Sequence, residues 1–228
     1  IANMNEIIGQ EKAWEWLMND RKEKIRQNNV RTYSPNELQS PDLNFGVILR
    51  VPEDVKYELH RKVLDSVPKQ YHSKILFQDP IWYHMTIQWA PEKEVLEQTR
   101  SKIFEEIRKI VESIDRMSGK IRFPYFSDGG FMAGFFSEND GEVASLKRQV
   151  QKVWNDNGIK LYLPEIYDET SYISLSRFIE KFDESEIPKM ENLPLQSIDV
   201  TFDTAVIVLN DKIMSPDRTK VLAEYKFR

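Results

Sequence analysis

Two segments of this chain carry one pattern written twice: YHMTIQWA at residues 83–90 and SYISLSRF at residues 171–178. Superimposed, they set His84 on Tyr172, Met85 on Ile173, Thr86 on Ser174 and Ile87 on Leu175. Side chains of a β-strand point alternately to its two faces. The first strand is therefore expected to show His84, Thr86 and Gln88 on one face, and Met85, Ile87 and Trp89 on the other, against the core. The second is expected to show Tyr172, Ser174 and Ser176 opposite Ile173 and Leu175. Each polar row pairs a group able to handle protons with a hydroxyl two positions on. Two such rows facing each other across a cleft can hold a small anion, the hydroxyls donating to phosphate oxygens.

The chain around these strands alternates helical and extended patterns. LNFGVILRV (43–51) predicts a strand, and PEDVKYELHRKVLDSV (52–67) a helix with Pro52 in its first turn. A long helix is expected over 91–114, with Val95, Ile103, Ile107, Ile110 and Ile114 roughly on one face. KIRFPYF and GFMAGFFS read as two strands joined by the SDGG turn. GEVASLKRQVQKVWNDNG (141–158) predicts a helix closed by Gly158. QSIDVTFDTAVIVLND (196–211) reads as one long strand or a bent pair, and TKVLAEYKF as an edge strand. Long helices between antiparallel strands make an α+β plan, and the repeated strand suggests two related lobes.

Residues 1–41 read as an N-terminal helical extension and linker, and 42–228 as a two-lobed domain. In the extension, Trp14, Leu17, Arg21 and Ile25 fall at near-helical spacing in a stretch free of Pro and Gly, so an amphipathic helix packing on the body is expected. A lid over the cleft is the other role open to it.

Composition excludes several functions. The absence of cysteine removes disulfides, thiol catalysis and cysteine–zinc sites, and is compatible with a cytoplasmic location. A net charge of -5 argues against an extended duplex nucleic-acid interface. It leaves room for a small pocket holding one or two phosphates. No apolar run approaches a membrane span, and no signal peptide is visible. No metal site is expected: His60, His72 and His84 fall on different elements, and no H-E-x-x-H is present.

With its two motifs in place, the chain resembles the two-histidine (2H) phosphoesterase superfamily of LigT-like RNA ligases and cyclic phosphodiesterases, over roughly residues 43–227. That family carries one H-x-[ST]-x motif per lobe. YHMTIQW matches the first motif; RFPYFSDGGFMAGFFS resembles the hairpin between motifs; SYISLSRF resembles the second motif, with Ser174, Leu175 and Arg177 kept and His replaced by Tyr172. The resemblance implies a bilobal α+β fold, with two antiparallel sheets flanked by helices around a central cleft. It also implies a metal-independent reaction without cofactors on 2′,3′-cyclic phosphates, 2′–5′ linked oligonucleotides or RNA ends, so the expected partner is a small nucleotide or RNA end carrying phosphate. The oligomeric state stays open.

The tyrosine alters the expected chemistry. The family's reaction needs one group to take a proton from the attacking hydroxyl or water and another to give one to the leaving oxygen. At pH 7 about one unperturbed tyrosine in a thousand is phenolate, so Tyr172 is a poor base. As a neutral phenol it can still donate. His84 is therefore assigned as base and Tyr172 as donor, with Thr86 and Ser174 binding phosphate. Phe131, Lys120, Arg122 and Arg177 are candidate substrate contacts, Phe131 as a stacking platform for a base. Three activities fit this pattern: a divergent phosphodiesterase, an inactive binder of a phosphorylated ligand, and a scaffold for protein contacts.

Overall fold

The computed structural model describes residues 9–28, 30–160 and 166–228; the first eight residues of the expected extension lie outside that set. In chain order the elements are α1 (Gln10–Arg26), α2 (Pro35–Leu38), β1 (Asn44–Arg50), α3 (Glu53–Ser66), β2 (Ile75–Phe77), β3 (His84–Pro91), α4 (Glu97–Val111), β4 (Met117–Phe126), β5 (Phe131–Ser137), α5 (Glu142–Asp156), α6 (Ile166–Glu169), β6 (Tyr172–Ser174), β7 (Ser176–Phe178), α7 (Ile187–Glu191), β8 (Gln196–Phe202), β9 (Thr204–Asn210) and β10 (Lys220–Lys226). The α+β plan holds. Helix α4 starts six residues later than its pattern suggested, because Pro91 still belongs to β3 and Glu92–Glu94 form a single 3₁₀ turn. Gly158 closes α5 as expected, in the left-handed conformation that glycine adopts without penalty.

Among the described residues, eight strands form one antiparallel sheet in the order β10-β9-β1-β3-β6-β5-β4-β8. The two expected sheets are its two four-stranded halves, merged edge to edge. The seam is short: β3 and β6 share the single registered pair Met85↔Ile173. The stretch 196–210 is the bent pair. β8 lies at one edge beside β4, and β9 lies beside β1 and β10 at the other end, with Asp203 alone between them. One residue spans that distance only if the sheet curves across its width and its ends approach each other.

One face of the sheet carries the main core. Val55, Leu59 and Val63 of α3, Ile103 and Ile107 of α4, and Val150 and Trp154 of α5 bury themselves among Phe45, Val47, Leu49, Met85, Ile173 and Phe135. Among the described residues the other face is covered only at its ends. At the β4–β5 end, α1 inserts Trp14 against Tyr125 and Phe136, with ring centroids 4.9 and 5.6 Å away. Gly134 makes that approach possible, since a Cβ there would stand 3.0 Å from the indole and 2.9 Å from the Phe136 ring. Trp14 and Leu17 are buried, each burial contributing about 1.5–3 kcal/mol. At the β1–β9 end, Trp82 and Met214 cover Ile48, Val206 and Val208. The seam between the covered ends stays open and holds both motifs.

Two expectations about facing fail, each because a strand is interrupted. Between Val47↔Gln88 and Ile48↔Thr86 the β1–β3 register skips Ile87, a β-bulge. The extra residue reverses the alternation beyond it. Gln88, placed on the polar row by simple alternation, is instead buried, and Trp89, placed in the core, is 40% exposed on the cleft side. The second interruption is at Leu175. β6 ends at Ser174, and β7 pairs with β2 in a separate two-stranded sheet. Ser176 leaves the polar row for the interior, where its Oγ accepts the Phe131 N–H at 2.9 Å. Among the described residues no helix is long and apolar enough to cross a membrane.

Candidate functional site

The register of the seam decides how the motifs meet. With Met85 opposite Ile173, antiparallel pairing sets His84 opposite Ser174 and Thr86 opposite Tyr172. Each motif's proton-handling group therefore lies beside the other motif's hydroxyl. All four line one open cavity of about 900 Å³. The expected convergence of residues 84, 86, 172 and 174 is thus present geometrically.

His84 is half-buried. Its Nδ1 lies 2.7 Å from the Trp82 carbonyl oxygen, which can only accept, so Nδ1 carries the hydrogen and Nε2 keeps its lone pair. Burial pushes the imidazole pKa down to about 4, and the Arg177 charge adds to the fall, against the opposing pull of the Trp82 carbonyl. At neutral pH His84 is therefore unprotonated, able to accept a proton and unable to give one. Tyr172 is 37% exposed at the cavity wall. Loss of solvent around the phenol raises its pKa above the usual value, although Arg21 and Arg177 pull it down. Tyr172 is thus a protonated donor at neutral pH. The two environments thus differ in the protonation state they favour at neutral pH.

No family model matches the chain, and no curated protein matches it in sequence. Solved structures do resemble it. TT0787 of Thermus thermophilus superposes with a TM-score of 0.59 at 12% identity, covering 81% of this chain and 97% of that one. E. coli LigT complexed with 3′-AMP superposes at 0.58 with 9% identity, covering 82% and 98%. A conserved protein of unknown function from Agrobacterium tumefaciens, ATU0111, gives 0.54 at 14% identity, covering 84% and 89%. This chain has the LigT fold. At such identities the likeness concerns backbone architecture.

The remaining sequence candidates divide. Arg177 lines the LigT-like cleft: the break at Leu175 turns it toward the cavity, its Nη2 donates to the Lys212 carbonyl at 3.2 Å, and its guanidinium lies 5.2 Å from the Tyr33 ring centroid. Phe131 is not available as a platform. It is 1% exposed and packed edge-on against Phe126 and Phe178, because alternation in the hairpin sends it to the core. Lys120 and Arg122 do not line the cavity. Lys120 pairs with Asp199 of β8 at 2.6 Å, on the far side of the sheet half. Arg122 grips both Glu11 oxygens at 2.8 and 3.0 Å and lies over the Phe136 ring, so it fastens α1 to the body.

Sequence reading missed several residues around the site, among them Trp89 and Arg31 on the cavity wall and Tyr33 in the adjoining hollow. Trp89 presents an indole at the cavity wall, and only the bulge puts it there. Tyr33 and Arg31 come from the stretch read as linker. That stretch is fixed: the Arg31 N–H donates to Asp128 O at 2.6 Å and the Tyr33 N–H to Phe178 O at 2.9 Å. Helix α2 follows directly, opened by a capping box between Ser34 and Glu37. No periodic signal marks such a segment, since it is held by backbone bonds to distant strands.

Proposed function

We propose that this chain is a divergent LigT-like phosphoesterase acting on a nucleotide or RNA end that carries a 2′,3′-cyclic phosphate or a 2′–5′ linkage. The observation that carries this reading is the crossed register at the seam, which sets His84 beside Ser174 and Thr86 beside Tyr172 around one cavity. It is supported by the E. coli LigT complexes with 3′-AMP and with phosphate, ligands of the expected class on the same fold.

In hydrolysis of a cyclic phosphate, Nε2 of His84 takes a proton from water as the water oxygen attacks phosphorus. Thr86 and Ser174 donate hydrogen bonds to the phosphoryl oxygens as charge gathers there. The bond from phosphorus to one ribose oxygen breaks, and the Tyr172 O–H gives its proton to that leaving oxygen. The imidazolium and phenolate then return to neutrality through solvent. A phosphate seated beside His84 favours the imidazolium, moving a base that is weak in the empty cleft toward a useful range. An imidazole held well below its usual range in the empty site is a weak base, which also favours a second reading, binding without turnover.

The test is hydrolysis of 2′,3′-cyclic AMP together with thermal protection by 3′-AMP. Turnover that disappears in His84→Ala supports the enzyme, and turnover that survives it removes His84 from the chemistry. Protection without turnover leaves the binding reading. Neither protection nor turnover overturns both.

A further inference from the structure

We propose that the ligand carries a second phosphoryl group, held in an adjoining anion subsite that Arg21, Arg31 and Arg177 form beside the motif residues. The inference rests on the reading of the cleft as a nucleotide phosphate site and extends it to the substrate class: a nucleoside bisphosphate or the terminal nucleotides of a phosphorylated oligonucleotide, rather than a nucleotide with one phosphate.

A second cavity, of about 230 Å³, adjoins the first and shares Arg31, Tyr172, Ser174 and Arg177 with it. Arg21 from α1 completes a set of three guanidiniums around it, and among the described residues Asp128 is the one carboxylate on its wall. Arg21 pairs with Asp128 at 3.3 Å, and Arg31 with Glu37 at 3.2 Å in a solvent-exposed contact. Exposed pairs of that kind are weak and give way to a better acceptor. Among the described residues Arg177 makes no ion pair. The charge balance at this spot is therefore positive in a chain whose net charge is -5.

An aromatic ring helps to hold the like charges together. Arg31, Arg177 and Lys212 approach the Tyr33 ring at 4.4, 5.2 and 5.5 Å from its centroid, and a neutral ring attracts cations without cancelling their charge. Guanidiniums fixed in this way match phosphate oxygens well. Arg21, Arg31 and Tyr33 all precede residue 42, so the N-terminal segment is part of the binding surface.

The experiment compares dissociation constants of the whole chain for 3′-AMP, 5′-AMP and adenosine 3′,5′-bisphosphate by calorimetry, in the wild type, Arg21→Gln and Arg21→Lys. One charge-assisted contact set predicts bisphosphate binding roughly tenfold tighter than the better monophosphate. That advantage should vanish in Arg21→Gln and return in part in Arg21→Lys, with 3′-AMP binding weakened less than bisphosphate binding in both. Equal affinities for mono- and bisphosphate in the wild type overturn the second subsite while leaving the phosphate cleft standing. A bisphosphate advantage that Arg21→Gln does not reduce overturns its assignment to this cavity. Failure of all three nucleotides to bind overturns the cleft reading and this inference with it.

Discussion

His84 should titrate far below an ordinary histidine and move upward when a phosphate ligand binds. The structure gives the size of the effect. Its pKa falls from about 6.5 to about 4, because the ring is desolvated and Arg177 lies nearby. At about 1.4 kcal/mol per unit, the folded state disfavours the imidazolium by up to about 3 kcal/mol. In the unfolded chain the same ring takes its proton near pH 6.5, so between those values the unfolded state holds more protons and stability rises with pH. The contribution is complete above about pH 6.5 and is lost as pH falls toward 4. A phosphate seated against Thr86 and Ser174 supplies negative charge beside the ring, so 3′-AMP should raise the pKa by favouring the charged form. Histidine ring resonances followed by NMR from pH 3.5 to 8, with and without 3′-AMP, measure both quantities. The three histidines are separable by single substitution. Titration of His84 at 6.5 or higher in the free protein would show that the ring is solvated or charge-paired, against the cleft described here. A low pKa that 3′-AMP leaves unmoved would place the ligand elsewhere.

Three further outcomes follow from the same geometry. Tyr172→His restores a second imidazole opposite Thr86 and should raise 2′,3′-cyclic AMP hydrolysis by roughly 10²- to 10⁴-fold, the range for one well-matched proton donor; an unchanged rate counts against a latent two-histidine site. Trp89→Ala removes the exposed indole of the cavity and should weaken 3′-AMP by about 1–3 kcal/mol in calorimetry while leaving inorganic phosphate unaffected; an equal loss for both ligands would deny the ring a stacking role. Gly134→Ala should cost about 1–3 kcal/mol in thermal or denaturant unfolding, because its Cβ meets two aromatic rings that cannot both retreat. A change within a few tenths of a kcal/mol would mean that α1 is seated more loosely than the Trp14 contacts indicate.

The fold was legible wherever one local rule governed a whole element. The periodicity of α5 and its closing Gly158 and the β4–β5 hairpin around SDGG appear where the pattern puts them, and of the two readings open for 196–211 the structure takes the pair of strands. The repeated motif correctly brought four side chains together. Sequence reading failed where one residue broke a rule. The bulge at Ile87 exchanged Gln88 with Trp89, and no propensity distinguishes a strand that will bulge from one that will not. The break at Leu175 freed Arg177 and buried Ser176, because β7 had an unforeseen partner in β2. Residues 31–33 carried no signal at all, since their positions depend on acceptors at Asp128 and Phe178. Phe131 was misjudged for the opposite reason: alternation alone sends it to the core.

The pairing of a histidine at 84 with a tyrosine at 172 is best understood through the seam. Two identical motifs in crossed register would give a nearly symmetric site, in which either histidine could start as base. This chain is unsymmetric twice over. Residue 84 is an imidazole tied through Nδ1 to a backbone carbonyl and kept neutral by burial, so it can only begin by accepting. Residue 172 is a phenol whose surroundings hold it protonated, so it can only begin by donating. In the reaction proposed for this cleft, proton flow has one direction, from the nucleophile near His84 to the leaving oxygen near Tyr172. A substrate of that proposed reaction enters with its leaving oxygen toward Tyr172, the side on which Arg21, Arg31 and Arg177 gather. On that proposal, the acid–base pair and the cationic wall select the same orientation of a phosphorylated end.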